Sequence, residues 1–139
     1  MGIEIALIAA MMILTTATHA IGLYLLEIAG RRFNAKMSFS RRGLVLITIV
    51  LSLLGLHVLE IVEYAAVYRA VGAVTDFETA LYFSGAVYST IGAIGVDLPH
   101  QWRLMGSLEG VNGMGMIGWS TAYLFTTWQH VVKPRRHRA

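Results

Sequence analysis

The stretch from Thr75 to Pro99, TDFETALYFSGAVYSTIGAIGVDLP, decides how this chain folds, because it suits neither a membrane span nor an ordinary loop. It opens on Thr75-Asp76-Phe77-Glu78, a capping box in which Thr75 accepts the Glu78 backbone N–H and Glu78 reaches back to the Thr75 N–H. A helix is expected to begin there and run through Ala80, Leu81, Tyr82, Phe83, Val87 and Tyr88. That is about four turns, about 20 Å, or half a membrane. Thr90 to Gly95 follows with glycine at two positions, and Val96-Asp97-Leu98-Pro99 returns the chain to the surface. A half-length helix followed by extended, glycine-bearing chain reads as a re-entrant pore loop. Non-helical backbone at membrane depth is tolerated only where protein buries it or water reaches it. The negative end of such a half-helix points into the membrane centre, where it favours a cation.

The composition supplies the setting. The chain has 139 residues, 56% hydrophobic and 14% charged, against about 25% charged in a soluble domain. It has no cysteine, which excludes disulfides, thiolate metal sites and cysteine nucleophiles. One domain is expected, since no Pro-, Gly- or Ser-rich linker divides the chain. Three segments are long enough to cross a bilayer, which takes about 20 mostly apolar residues: residues 2–29, 43–71 and 104–132. The first starts Met1-Gly2-Ile3-Glu4, without the positive region of a signal peptide, and reads as a retained helix. Residues 72–103 are too short and mixed to span.

Lysine and arginine set the orientation. Of 11 such residues, Arg31, Arg32, Lys36, Arg41 and Arg42 fill the first connection, and Lys133, Arg135, Arg136 and Arg138 fill the tail. Both belong in the cytoplasm, with the N-terminus and residues 72–103 outside. The basic tail would also lie against anionic lipid headgroups, at about 1 kcal/mol per residue near the surface.

Ionisable residues inside spans are costly and point to function. His57, Glu60 and Tyr64 share one face of the second span, with Glu63 to one side. Glu109, Asn112, Gly113, Met116, Ser120, Tyr123 and Thr127 form one stripe of the third. Glu60, Glu63, Glu109, Asn112, Met116 and Ser120 are expected either to line an ion pathway or to support it as a buried hydrogen-bonded network. A His57/Glu60 pair resembles half of a bundle metal site. No second pair matches it, and His19 and His130 belong far apart along the membrane normal, so no metal is expected beyond permeant ions. Gly106 with Gly110 and Gly118 with Ala122 allow close helix packing, and Gly113 or Gly118 could serve as a hinge.

The order of outer helix, pore helix, Ser89-Thr90-Ile91-Gly92 and a final helix carrying Trp102-Arg103-Leu104-Met105-Gly106-Ser107-Leu108-Glu109-Gly110 and Gly118-Trp119-Ser120-Thr121-Ala122 resembles the small prokaryotic potassium-channel-like proteins with a two-helix pore domain. The resemblance runs from about Gly43 to Phe125. It implies a homotetramer with threonine and glycine carbonyls facing a central axis, and one pore loop per chain needs such closure in any case. The implied filter is Thr90, Ile91, Gly92, Ala93, Ile94 and Gly95. The family pattern T-V-G-Y-G-D fails at Ala93 and Ile94, which stand where a tyrosine and a second glycine are usual. A β-branched Ile94 resists positive φ, at about 1–2 kcal/mol per copy. The upper filter is therefore expected to be wider or collapsed, with weaker preference for potassium over sodium.

The expected whole is an all-α integral membrane protein with three transmembrane helices plus a re-entrant pore helix and filter loop, assembled as a tetramer. Its parts are an additional helix (1–30), a basic cytoplasmic loop (31–42), a pore domain (43–132: outer helix 43–71, pore helix 75–89, filter 90–95, inner helix 104–132) and a basic tail (133–139). The expected function is conduction of monovalent cations, K⁺ or Na⁺, in a prokaryotic plasma membrane, with no enzymatic activity. The only expected partners are lipid and copies of the chain, with no cofactor, nucleic acid or soluble substrate. The alternatives are a non-conducting homologue and a proton or metal transporter using the intramembrane His and Glu residues.

Overall fold

In lipid a segment must satisfy its own backbone hydrogen bonds, and long apolar runs without proline do so as helices. The computed structural model describes residues 2–30 and 38–132. It contains α1 (Gly2–Gly30), α2 (Phe39–Ala70), α3 (Phe77–Tyr88) and α4 (Arg103–Val132), with a 3₁₀ turn at His100–Trp102 leading into α4. No strand occurs among the described residues. α1 and α2 are long and apolar enough to cross a membrane. α4 is equally long, at 30 residues, but carries Glu109, Asn112, Ser120 and several hydroxyls. The basic residues expected at 31–37 and 133–139 lie outside the described residues.

α3 packs between α2 and α4, and α1 packs on the same two helices. Contacts pair Thr18 and His19 of α1 with Glu63 and Glu60 of α2, so these helices run in opposite directions. Thr15 and His19 meet Asn112 and Ser120, so α1 and α4 run alike. The buried residues of α1 are Ile8, Met11, Thr15, His19 and Leu23, a single stripe at helical spacing. Its other faces expose Ile13, Leu14, Ile21 and Leu25, as lipid contact requires.

Two apolar clusters result. One joins Tyr64, Tyr68, Ala80, Phe83, Trp102 and Met105 around α3, with Ile8 and Met11 beneath α1. The other joins Leu23, Val45, Ile49 and Leu53 at the opposite end of the helices. Buried polar residues lie between these clusters: Thr15 and His19 on α1, Glu60 on α2, and Asn112 and Ser120 on α4.

Two boundaries differ from expectation by more than one residue. α2 begins at Phe39 rather than Gly43, which puts Arg41 and Arg42 in its first turns instead of in a loop. No proline stands between Ser38 and Gly43 to stop the helix from starting early. α3, expected as the pore helix, begins after Asp76, not after Thr75: the Asp76 side chain accepts the Thr79 N–H at 2.8 Å. Thr75 is a competent cap, but aspartate ranks above threonine, and its charge suits the positive helix end. The hydrogen bond from the Thr79 backbone holds the Asp76 carboxyl below its usual range.

Candidate ion filter and the polar network behind it

The end of α3 determines the path of the chain beyond it. Ser89 caps the helix, Thr90 N–H donates to the Val87 carbonyl at 2.9 Å, and Ile91 N–H donates to Ala86 at 2.9 Å. This pair of reversed bonds is a Schellman turn, whose residue after the cap must be left-handed. α2 ends in the same turn, with Gly72 N–H to Arg69 at 3.3 Å, Ala73 N–H to Tyr68 at 2.9 Å, and Gly72 at φ 69°. In α3 that place is held by Thr90 at φ 62°, the sole non-glycine residue with positive φ among the described residues. A β-branched residue there is strained. Gly92 and Gly95 follow at φ 84° and 81°, while Ile94 stays out of the left-handed region. Ile91 and Ile94 are 81% and 85% exposed, so this chain's own packing covers neither. A cavity of about 360 Å³ lies behind the loop, bounded by Thr90, Gly92, Gly106 and Ser107.

The loop hangs from a helix whose position is set by glycine. Gly106, Gly110 and Gly113 line one face of α4, and α3 lies in the groove they leave. A Cβ on Gly106 would meet the Phe83 ring at 3.4 Å, and one on Gly110 the Val87 carbonyl at 3.2 Å. One on Gly113 would stand 2.4 Å from the Tyr88 carbonyl. Gly113 is therefore a seat for the end of the pore helix, while Gly118 meets nothing within 4 Å.

Behind α3 two buried carboxylates gather hydrogen bonds from α1, α2 and α3. Glu109 takes the Tyr68 hydroxyl at 2.6 Å and the Ser84 hydroxyl at 2.5 Å, and Ser84 Oγ also lies 2.9 Å from the Ile61 carbonyl. Glu60, with no exposed surface, faces His19 Nδ1 at 2.7 Å, His57 Nδ1 at 3.3 Å and the Tyr88 hydroxyl. His57 Nδ1 lies 2.9 Å from the Tyr88 oxygen. Ser120 Oγ is 3.3 Å from His19 Nε2, which fixes the ring that reaches Glu60. Asn112 donates to Thr15 Oγ1 at 2.6 Å and to the Tyr64 oxygen at 3.3 Å. The Thr18 hydroxyl donates to Glu63 Oε1 at 2.8 Å, and Glu63 Oε2 has no hydrogen-bond partner.

A family model described as "Ion channel" matches residues 56–130. The chain belongs to this ion channel family. Its members are of the potassium-channel-like kind with a two-helix pore domain. The match takes in the later part of α2, all of α3, the loop after it and nearly all of α4, and leaves α1 outside. No curated protein and no solved structure matches the chain. Membership makes this a channel-family protein of the membrane.

In this channel-family chain Glu60, Glu109, Asn112, Met116 and Ser120 are all buried within the single subunit, and Glu63 is half-buried against Thr18. The structure brings Glu60 to Tyr88 and Ser84 to Glu109, so α2 and α4 hold α3 by both its middle and its end. His130 stands apart, bonded to its own helix at Thr126. What the sequence reading missed is the part played by α1. Thr15, Thr16, Thr18 and His19 are four polar residues within five positions of a greasy stretch of helix, and that clustering was the available signal. Tyr64 and Tyr88 were read as helix residues and Tyr68 was not singled out, yet each hydroxyl is a network member.

Proposed function

We propose that four copies of this chain enclose a central pore that conducts monovalent cations, with Thr90 to Gly95 as the ion filter. One observation carries the reading: exposed, non-helical backbone at the end of a half-length helix wedged between long apolar helices. The N–H groups of Thr90, Ile91 and Gly92 bond back to α3, but the exposed carbonyls of the loop would be unsatisfied in lipid. Neighbouring copies, water and passing ions meet that need, and closed rotational symmetry supplies them. α1, α2 and α4 each cross the membrane, with the N-terminus outside and the basic connections on the cytoplasmic side of a plasma membrane.

The polar stripe of α4 then supports the pore rather than lining it. The lining falls to the opposite, exposed face of α4, which includes Val111, Met114 and Gly118. After Thr90, the left-handed positions are Gly92 and Gly95, three residues apart. The usual pattern sets its glycines two apart, so carbonyl rings are fewer above Gly92 and potassium preference is weakened.

The exposure of Ile94 favours a second reading, in which four isoleucine side chains close the pore and the protein is a non-conducting homologue. Flux from purified protein in liposomes, measured with potassium, sodium and a large organic cation, separates the two. Potassium and sodium should pass and the large cation should not. No flux above empty vesicles removes the channel reading, and flux that follows a pH gradient points to proton coupling through His19, His57 and Glu60.

A further inference from the structure

Between α1 and α2, just beneath the last residue of the pore helix, three strong metal donors converge. His19, His57 and Glu60 each place one ligand atom so that all lie within 4.8 Å of one another. The donor set is mixed nitrogen and oxygen, two imidazoles and a carboxylate, which suits zinc and its neighbours. Alkali ions favour sites made of oxygen alone, so this is not a station for the permeant ion. We propose that His19, His57 and Glu60 form a site for a divalent transition-metal ion, zinc above all. The proposal does not rest on conduction.

Three observations support it. The first is charge: with both imidazoles neutral, the buried Glu60 carboxylate leaves one negative charge in the membrane interior, and among the described residues no lysine or arginine bonds to it. Glu63, three residues on, adds a carboxylate oxygen with no partner. The second is access: a cavity of about 370 Å³ is lined by His57, Tyr88 and Ser120 and so opens on the cluster. It leaves room for water or the Tyr88 oxygen as a fourth ligand.

The third is orientation. Ligation through His19 Nδ1 requires its proton to sit on Nε2, and Ser120 Oγ lies 3.3 Å from that nitrogen, placed to accept it. Such an outer partner is the usual companion of a metal-binding histidine. Zinc holds N and O donors at about 2.0–2.1 Å, so donors of one tetrahedron stand roughly 3.3 Å apart. His19 and Glu60, now hydrogen-bonded at 2.7 Å, would part slightly, and the wider pairs would close. A bound ion would tie α1 to α2 directly under Tyr88.

The test is a titration of the purified full-length protein with Co²⁺, followed by its ligand-field absorption and by competition with Zn²⁺. Binding of one ion per chain with a tetrahedral spectrum is expected. It should weaken at least about 10-fold in His19→Gln and in His57→Gln and stay unchanged in His130→Gln. Binding that survives both of the first two variants assigns the ion elsewhere and overturns the site. If those variants fail to assemble, the wild-type spectrum decides alone: no saturable tetrahedral signal, or none that zinc displaces, means the cluster is a hydrogen-bonded network only.

Discussion

Replacing Gly113 by alanine tests whether the seat of the pore helix governs stability and conduction. The added Cβ would lie 2.4 Å from the Tyr88 carbonyl oxygen and 2.9 Å from Tyr88 Cγ. Reaching even 3.0 Å from the oxygen means a separation of about 0.6 Å between α4 and the end of α3. The obstacle is backbone, fixed by the Schellman turn and by the Tyr88 bond to Glu60, so no side chain can swing aside. Overpacking of this kind costs about 1–3 kcal/mol, and alanine's better helix propensity returns about 1. A net loss near 2 kcal/mol per chain is expected, the upper end applying because backbone must move. Gly22→Ala is the control: its Cβ would meet only the Leu56 side-chain tip, at 2.6 Å, which can change rotamer. Chemical unfolding in detergent gives both stabilities, and liposome flux gives the effect of shifting Tyr88, two residues before Thr90. Gly113→Ala with the stability and flux of wild type, or Gly22→Ala with the greater loss, would refute the proposed docking.

Glu60→Gln keeps the shape but turns one carboxylate oxygen into a donor facing His57, Tyr88 or His19; unfolding should show a loss of about 1–3 kcal/mol for the unsatisfied group. Thr90→Gly should relieve about 1–2 kcal/mol of left-handed strain while loosening the filter, so stability should rise as the potassium-to-sodium permeability ratio falls. No gain in stability would show that the threonine conformation costs nothing. Ala93→Tyr combined with Ile94→Gly should raise that ratio, and an unchanged value would mean that the filter is framed differently. For Asp76, whose carboxyl is held below its usual range, the cap is complete above an ordinary aspartate pKa of about 3.9. It is lost as pH falls through the lower folded value. Hydrogen exchange at Thr79 should be insensitive to pH around neutrality, after correction for intrinsic rates, and lose protection only in acid or in Asp76→Ala.

Much of the helix order was readable because it depends on local pattern: apolar length for α1 and α2, and a capped short helix before glycine for α3. The cap of α3 was misplaced by one residue because Thr75 and Asp76 are both competent caps, and only the built geometry chooses. The turn at Thr90 was unreadable for the opposite reason. Sequence places glycine in a left-handed turn, as at Gly72, and here the bonds from Thr90 and Ile91 to the end of α3 impose the conformation on threonine. The polar residues of α2 and α4 were found by their cost in lipid, but their partners were not, since Glu109 meets Tyr68 across 41 positions and Asn112 meets Thr15 across 97.

The helix outside the family match, α1, is fastened by Thr15, Thr18 and His19, and this has a consequence in the time course of synthesis. α1 is made first. Its threonine at position 15 can bond back to Met11 at 2.9 Å while it waits, but the imidazole has no such refuge. Glu60 is 41 residues behind it and Ser120 is 101 behind. At about 5–20 residues per second, the latter gap is roughly 5–20 s. Until Glu60 arrives the newborn helix carries an unmatched polar ring in lipid, and until Ser120 arrives the ring is only half matched. α2 and α4 would then capture α1 as they arrive, so it is inserted well before it is fixed.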